Sequence, residues 1–341
     1  MNRFIKKAVL FFAPLTLLFA SITVCYFILD PFRVLYTYDF NNERPIAQLN
    51  GDFVSTEMFL KMNPKYHYNS FIFGSSRTLA YLPDHWKDYL SNNYSIFRFN
   101  APGENIYGIY TKIKYLDNNN IPIKNALIIL CRNCSFSDKN YTGHLLRKHP
   151  LTSQENRLFF QLEFFKVFFN RDFLMCYFDM LINKQYKSYM ENYLNDSRFE
   201  VGCPDDNSTN TMLLTGREKM IMDNPKKYYA DLKFPQRTGE KNDSVSRINE
   251  KQKMMLYEIK KILDKHNTEY RVVISPLYEQ IKLNPKDKKI LDDCFGENMY
   301  DFSGKNKFSE DRINFYEWSH YRPLVGDSIM SEIYRPNIDS L

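Results

Sequence analysis

Ser76, Glu317 and His320 are the residues whose types and order point to chemistry. Ser76 ends the run Phe71-Ile72-Phe73-Gly74-Ser75-Ser76, in which apolar residues give way to a glycine and two hydroxyls. Such a run reads as a buried strand that delivers a serine into a tight turn at its carboxyl end, where open α/β sheets hold their reacting groups. A serine hydroxyl is a weak nucleophile until a base takes its proton, and the base in turn needs an acid to orient it. The far end of the chain supplies both in Glu317-Trp318-Ser319-His320, where one short loop can present carboxylate and imidazole together. The chemistry of such a set is acyl transfer: Ser76 attacks an ester carbonyl, His320 moves the proton and Glu317 stabilises the imidazolium.

Strand and helix signals alternate around these residues. Strands are expected at Tyr68 to Phe73, Ser95 to Phe99, Asn125 to Cys131, Tyr270 to Pro276 and Met299 to Phe302. Helical stretches fall at Asp84 to Leu90, Ile106 to Leu116, Val245 to His266, Pro285 to Asp293 and Leu324 to Tyr334. The alternation predicts a flavodoxin-like three-layer α/β/α domain over 65–341 with about five parallel strands. A helical insertion at about 150–245 interrupts it. Within the insertion, Leu158 to Phe169 is too aromatic for an exposed helix and must cover a core, a partner or a membrane surface, packing over the sheet being the simplest expectation. Insertions of this kind commonly shape pockets, so this one is expected to set specificity.

The N-terminus has a different composition. Ala8 to Leu29 is a charge-free apolar run long enough to cross a bilayer, preceded by Arg3, Lys6 and Lys7. Residues 1–30 are therefore expected to form an uncleaved membrane anchor with its amino end in the cytoplasm, and 31–64 a membrane-proximal lead-in carrying Tyr36, Tyr38 and Phe40. The net charge of +6 is modest and scattered, which argues against a nucleic-acid partner. Cys25 lies inside the apolar run, and Cys131, Cys134, Cys176, Cys203 and Cys294 are too dispersed for a disulfide scaffold. Cys131-Arg132-Asn133-Cys134 ends a strand deep in the chain, where thioredoxin-like proteins do not carry their redox pair, so these read as buried or incidental thiols. His67, His85, His144, His149 and His266 have no ligand partners at convincing spacing, and neither a P-loop nor a Gly-x-Gly-x-x-Gly fingerprint is present. No metal or cofactor is expected. Arg77, next to Ser76, is expected to stabilise its turn; binding an anionic sugar is the other reading.

Together, Gly74-Ser75-Ser76 near the start and Glu317-x-x-His320 near the end resemble the Gly-Asp-Ser and Asp-x-x-His blocks of the SGNH (GDSL-like) hydrolase superfamily. The segment Tyr316 to Pro323, followed by a helix, is similar to the terminal segment of its membrane-anchored cell-envelope branch. Two positions depart from the pattern: Glu317 stands for the usual aspartate, and Ser75 for the aspartate of the first block. The resemblance implies an oxyanion hole from the N–H groups of Ser76 and Gly103, with Asn133 as a second-donor candidate that reads equally well as a loop asparagine. It further implies an esterase or O-acyltransferase acting on an acylated cell-envelope glycan or acyl donor, with a membrane acyltransferase among its possible partners. Its catalytic domain would lie on the periplasmic side of the cytoplasmic (inner) membrane, below a single span. A non-catalytic anchored module that binds glycan or a membrane partner through the aromatic insertion is the alternative.

Because three basic residues, Arg3, Lys6 and Lys7, flank the amino end of the apolar run, a reporter fused after Leu341 should read as extracytoplasmic. A cytoplasmic reading would remove the envelope glycan from reach.

Overall fold

Strand runs that are apolar on both sides leave no face for water, and such runs pair edge to edge into a parallel sheet covered on both faces. The computed structural model of the chain describes residues 2–36, 47–91, 93–194, 205–207, 211–237 and 239–334; Tyr38, Phe40 and Cys203 lie outside them. In chain order its main elements begin with α1 (Asn2–Leu29), α2 (Gly51–Tyr66), β1 (Ser70–Gly74), β2 (Ile96–Arg98), α3 (Ile106–Asn118) and β3 (Asn125–Leu130). Next come α4 (Arg157–Phe168), α5 (Arg171–Asn183), α6 (Thr211–Asp223), α7 (Glu250–Lys265), β4 (Glu269–Ile274) and α8 (Pro285–Phe295). The last are β5 (Met299–Asp301), β6 (Phe315–Glu317), β7 (His320–Tyr321) and α9 (Pro323–Ile333).

The first five strands form one sheet in the order β2-β1-β3-β4-β5, every pair parallel. All five expected strands are present, with ends within two residues of expectation. The stretch from Asp84 to Leu90 is shorter than a crossover helix, being a turn at Pro83–Trp86 and another at Lys87–Tyr89. Connections leave β1 and β3 in opposite directions along the sheet, which makes the carboxyl ends of these two strands its switch point.

The chain divides into two units, one of residues 1–50, 143–145 and 155–199, the other of 51–142, 146–154 and 200–341. The second unit holds the sheet. Alternate residues of β1 face opposite ways: Ile72 joins Leu127, Ile129 and Val273 in a core with Val325, Ile329 and Met330 of α9. Phe71 instead faces Phe59 of α2, which also stacks on Phe99 at 5.0 Å. Helix α2 thus extends this core into the stretch expected as lead-in, and the fully buried Met58 and Phe59 are its contribution.

In the first unit, α1 is long and apolar enough over Arg3–Leu29 to cross a membrane. The aromatic helix α4, expected over the sheet, packs on α1 instead: Tyr26 meets Phe165 at 5.3 Å and Phe168 at 5.1 Å, and Phe19 meets Phe169, just past α4, at 4.8 Å. Phe32, just past α1, stacks on Phe173 of α5 at 5.0 Å. A helix apolar on nearly every side carries no stripe from which its partner can be named, and Leu158, Phe159 and Leu162 of α4 remain exposed.

Four charges are buried together in the second unit. Lys112 of α3 lies 2.9 Å from Asp52 of α2 and 2.5 Å from Glu104, and Lys148 lies 2.5 Å from Glu104 and 3.7 Å from Asp52. All four side chains are 0–1% exposed, so their two positive and two negative charges must balance among themselves. Burial pushes the Asp52 carboxyl up, but the ammonium groups of Lys112 and Lys148 and the N–H of His149 outweigh it and hold the carboxyl down at about 2. Its folded value lies below its unfolded one, near ~3.9. The stability that Asp52 adds is therefore complete above the unfolded value and lost as pH falls through the folded one.

Lys148→Met leaves a net negative charge in this buried site and should cost roughly 3–5 kcal/mol, read as a lowered denaturation midpoint in detergent. A midpoint equal to that of the unsubstituted chain would mean that the four charges are not mutually dependent.

Candidate active site

The geometry at Ser76 begins with Gly74, which has a φ of +144°. A Cβ there would lie 2.4 Å from the carbonyl oxygen of Ile129 in β3, so any larger residue would push the two strands apart. The chain then turns into a short 3₁₀ helix, Ser76–Ala80. Ser75 is buried and faces inward: its hydroxyl accepts from the N–H of Arg77 at 3.5 Å, and its carbonyl accepts from the N–H of Thr78 at 3.0 Å and the Thr78 hydroxyl at 2.8 Å. Ser76 is the first residue of the turn, so its N–H has no acceptor within that turn.

His320 arrives on a hairpin. Strands β6 and β7 are antiparallel, with Glu317 opposite His320 across the turn Trp318-Ser319, which sets both side chains on one face. The next residue, Tyr321, is buried and fixes the hairpin in place. Its hydroxyl lies 3.1 Å from the Ser275 hydroxyl, one residue past β4, and donates to the Tyr81 hydroxyl at 3.3 Å, just past the Ser76 turn. Behind it, Arg322 donates to Glu218 of α6 at 3.0 Å and to the carbonyl of Ile313 at 2.8 Å. Helix α9 then passes so close to the Ser76 turn that a Cβ on Gly326 would fall 2.0 Å from the carbonyl oxygen of Ala80.

The three candidate residues meet. Ser76 Oγ lies 2.7 Å from His320 Nε2, and His320 Nδ1 lies against Glu317 Oε1. Ser319 completes the acid side, its N–H donating to Glu317 Oε2 at 2.9 Å and its hydroxyl to Oε1 at 3.0 Å, with that hydroxyl 2.9 Å from Nδ1. A carboxylate only accepts, so Nδ1 carries the proton, and Nε2 is left as an acceptor for the serine hydroxyl. Burial pushes the Glu317 carboxyl up, but hydrogen bonds from His320 and the Ser319 N–H prevail and hold it below its ordinary value. Glu317 is thus an anion at neutral pH. The side chains of His320 and Glu317 are 35% and 30% exposed, so the pair is reachable from solvent.

The other residues expected at the site, Gly103 and Asn133, lie on the loops that follow β2 and β3. The N–H of Ala101 donates to the carbonyl of Gly74 at 3.2 Å, which fastens the loop after β2 to the end of β1 two residues before Gly103. Gly103 is half-buried, and Asn133 is exposed on the turn after β3. Among the described residues, neither hydrogen-bonds to Ser76, His320 or Glu317. Arg77 was expected to stabilise the turn; its guanidinium instead reaches the sulfurs of Cys131 at 3.1 Å and Cys134 at 3.6 Å. Sequence reasoning missed Ser319, Tyr321, Ser275 and Tyr81. The hydroxyl of Ser319, inside the Glu-x-x-His block, was a usable signal; the Ser275–Tyr321–Tyr81 chain joins residues too far apart in sequence to leave one.

No protein-family model matches this sequence, and no curated protein is significantly similar to it.

With Glu317 ionised and on Nδ1, Glu317→Gln keeps the shape but loses the charge that stabilises an imidazolium. Turnover of an activated ester should fall at least about a hundredfold, with little change in stability. Unchanged turnover would leave His320 without an orienting acid.

Proposed function

We propose that this chain is a membrane-anchored serine acyl-transfer enzyme, an esterase or O-acyltransferase of SGNH-like type built on a flavodoxin-like three-layer α/β/α domain. The observation that carries the reading is the continuous hydrogen-bonded series Ser76–His320–Glu317. Its position, at the carboxyl end of β1 beside the switch point of the sheet, is where such folds gather reacting groups.

Ser76 Oγ attacks the acyl carbonyl as His320 Nε2 takes the hydroxyl proton, and Glu317 stabilises the imidazolium. The negative charge that develops on the carbonyl oxygen is met by the N–H groups of Ser76 and Gly103, with Asn133 as a further donor. As the tetrahedral intermediate collapses, His320 returns the proton to the departing oxygen and the acyl group stays on Ser76. An incoming hydroxyl then gives its proton to Nε2, attacks the acyl-serine carbonyl and releases Ser76. Water in that role makes an esterase, a sugar hydroxyl an O-acyltransferase. The α1 span favours transfer, since it keeps the domain beside membrane-bound acyl donors and nascent glycan. Arg3, Lys6 and Lys7 on the amino side of α1 favour a single-pass protein of the cytoplasmic membrane with this domain in the periplasm. An acylated cell-envelope glycan is the substrate that fits this location.

A serine-directed fluorophosphonate should label the full-length protein at Ser76, and labelling should disappear in Ser76→Ala. No adduct on a folded chain would favour a non-catalytic module that binds glycan or a membrane partner.

A further inference from the structure

Cys131 and Cys134 stand at the carboxyl end of β3, and acyl transfer makes no use of them. Their sulfurs are 2.8 Å apart. The Cys131 N–H donates to the Ser135 hydroxyl at 2.9 Å, and that hydroxyl lies 3.4 Å from Cys131 Sγ. Arg77 lies across from the pair, its Nη1 3.1 Å from one sulfur and 3.6 Å from the other. The Arg77 side chain is buried, and among the described residues these sulfurs are its only hydrogen-bond acceptors. A buried guanidinium with no anion beside it is strongly unfavourable, and a thiolate is the one anion this arrangement can supply. Burial pushes the Cys131 thiol up, but the hydrogen bond from Cys134, the charge of Arg77 and the Ser135 hydroxyl hold it well below an ordinary thiol. Cys134 is pushed the other way by its hydrogen bond to Cys131 and by burial, because the two sulfurs share one proton.

We propose that Cys131 and Cys134 form a reversible dithiol–disulfide pair that exchanges with low-molecular-weight disulfides, with Arg77 favouring the reduced state. Cys131 is fully buried and Cys134 half-buried, so Cys134 is the sulfur that an incoming disulfide reaches. The shared proton passes to Cys131, and the Cys134 thiolate attacks one sulfur of the small disulfide. A mixed disulfide forms, the small molecule's S–S bond breaks, and one thiolate leaves. Cys131 then gives its proton to that thiolate and attacks the Cys134 sulfur, which forms the intrachain bond and releases a second thiolate. The two cysteines lose two electrons, and the small disulfide is reduced to one thiol and one thiolate. Oxidation takes the anion from beside Arg77, so the cation opposes it, and the bond is more easily reduced than that of an unassisted pair.

The test uses the full-length chain in detergent, equilibrated in mixtures of oxidised and reduced glutathione and then alkylated. Trypsin cleaves after Arg132, so a disulfide appears as the peptide 125–132 linked to 133–139. That linked species should rise with the oxidised fraction and vanish in excess reduced glutathione. In Arg77→Gln the equilibrium constant should move at least about tenfold toward the disulfide, or ~30 mV for this two-electron couple. If Arg77→Gln does not fold, the single-cysteine variants decide: Cys131→Ser should stall with one glutathione on peptide 133–139, and Cys134→Ser should leave Cys131 unmodified. Absence of the linked peptide at every ratio, an equilibrium unmoved by Arg77→Gln, or no adduct on Cys131→Ser would each overturn the proposal. These readouts are masses and equilibria, independent of whether Ser76 forms an acyl-enzyme.

Discussion

The site depends on one close approach, that of the Gly74 backbone to the carbonyl of Ile129. Strand β1 leaves the sheet beneath that oxygen, and only a residue without a Cβ can make the exit with a φ of +144°. Past that exit, parity decides which side chain faces where: Ser75 points inward and closes the turn with Thr78, and Ser76 is the first hydroxyl to face outward. A shift of one residue in the exit would present a buried serine or an arginine in its place. His320 is referred to the same spot, since Tyr321 bonds to Tyr81 past the Ser76 turn and Gly326 lies against Ala80. Two residues 244 apart in sequence can meet at 2.7 Å because the hairpin that carries one is fastened to the turn that carries the other.

Beneath the second loop lies a different kind of constraint. Glu104 comes directly after Gly103, and its carboxylate is paired with Lys112 and Lys148 out of reach of solvent. Its Oε1 also accepts the N–H of Asn105, whose own side chain caps α3 through the N–H of Gly108 at 2.9 Å. The loop that begins at Asn100 is thereby tied to α2 and α3 by charge and to β1 by the Ala101–Gly74 hydrogen bond. The candidate site therefore joins a loop tied down by buried ion pairs to a half-exposed Glu317–His320 hairpin.

Much of this was legible in the sequence, for a definable reason. Strands β1, β3 and β4 are short apolar runs ended by glycine, serine or cysteine, and that signal is local. The order serine, acid, histidine and the three-residue spacing of the last two are local as well. Asp52, Glu104, Lys112 and Lys148 each read alone as ordinary surface charges, and only tertiary packing turns them into a cluster. Helix α2 carries Lys61, Asn63 and Pro64 among its apolar residues, which hid its place in the core. The Cys131–Cys134 spacing was visible, but its meaning lies in Arg77, fifty-four positions away from Cys131.

The aromatic contacts of α1 bear on what such a helix does besides being long and apolar enough to cross a bilayer. A tether needs only length and hydropathy and can be exchanged for any other apolar helix. Helix α1 also offers particular rings at particular heights, Phe19 to Phe165 and Phe169, and Tyr26 to Phe165 and Phe168. An unrelated span of equal length would strip the partners from α4, whose rings face α1. The segment that is long and apolar enough to cross a bilayer is therefore also part of the packed core of its first unit, so replacing it with a plain apolar helix would remove ring contacts as well as a span.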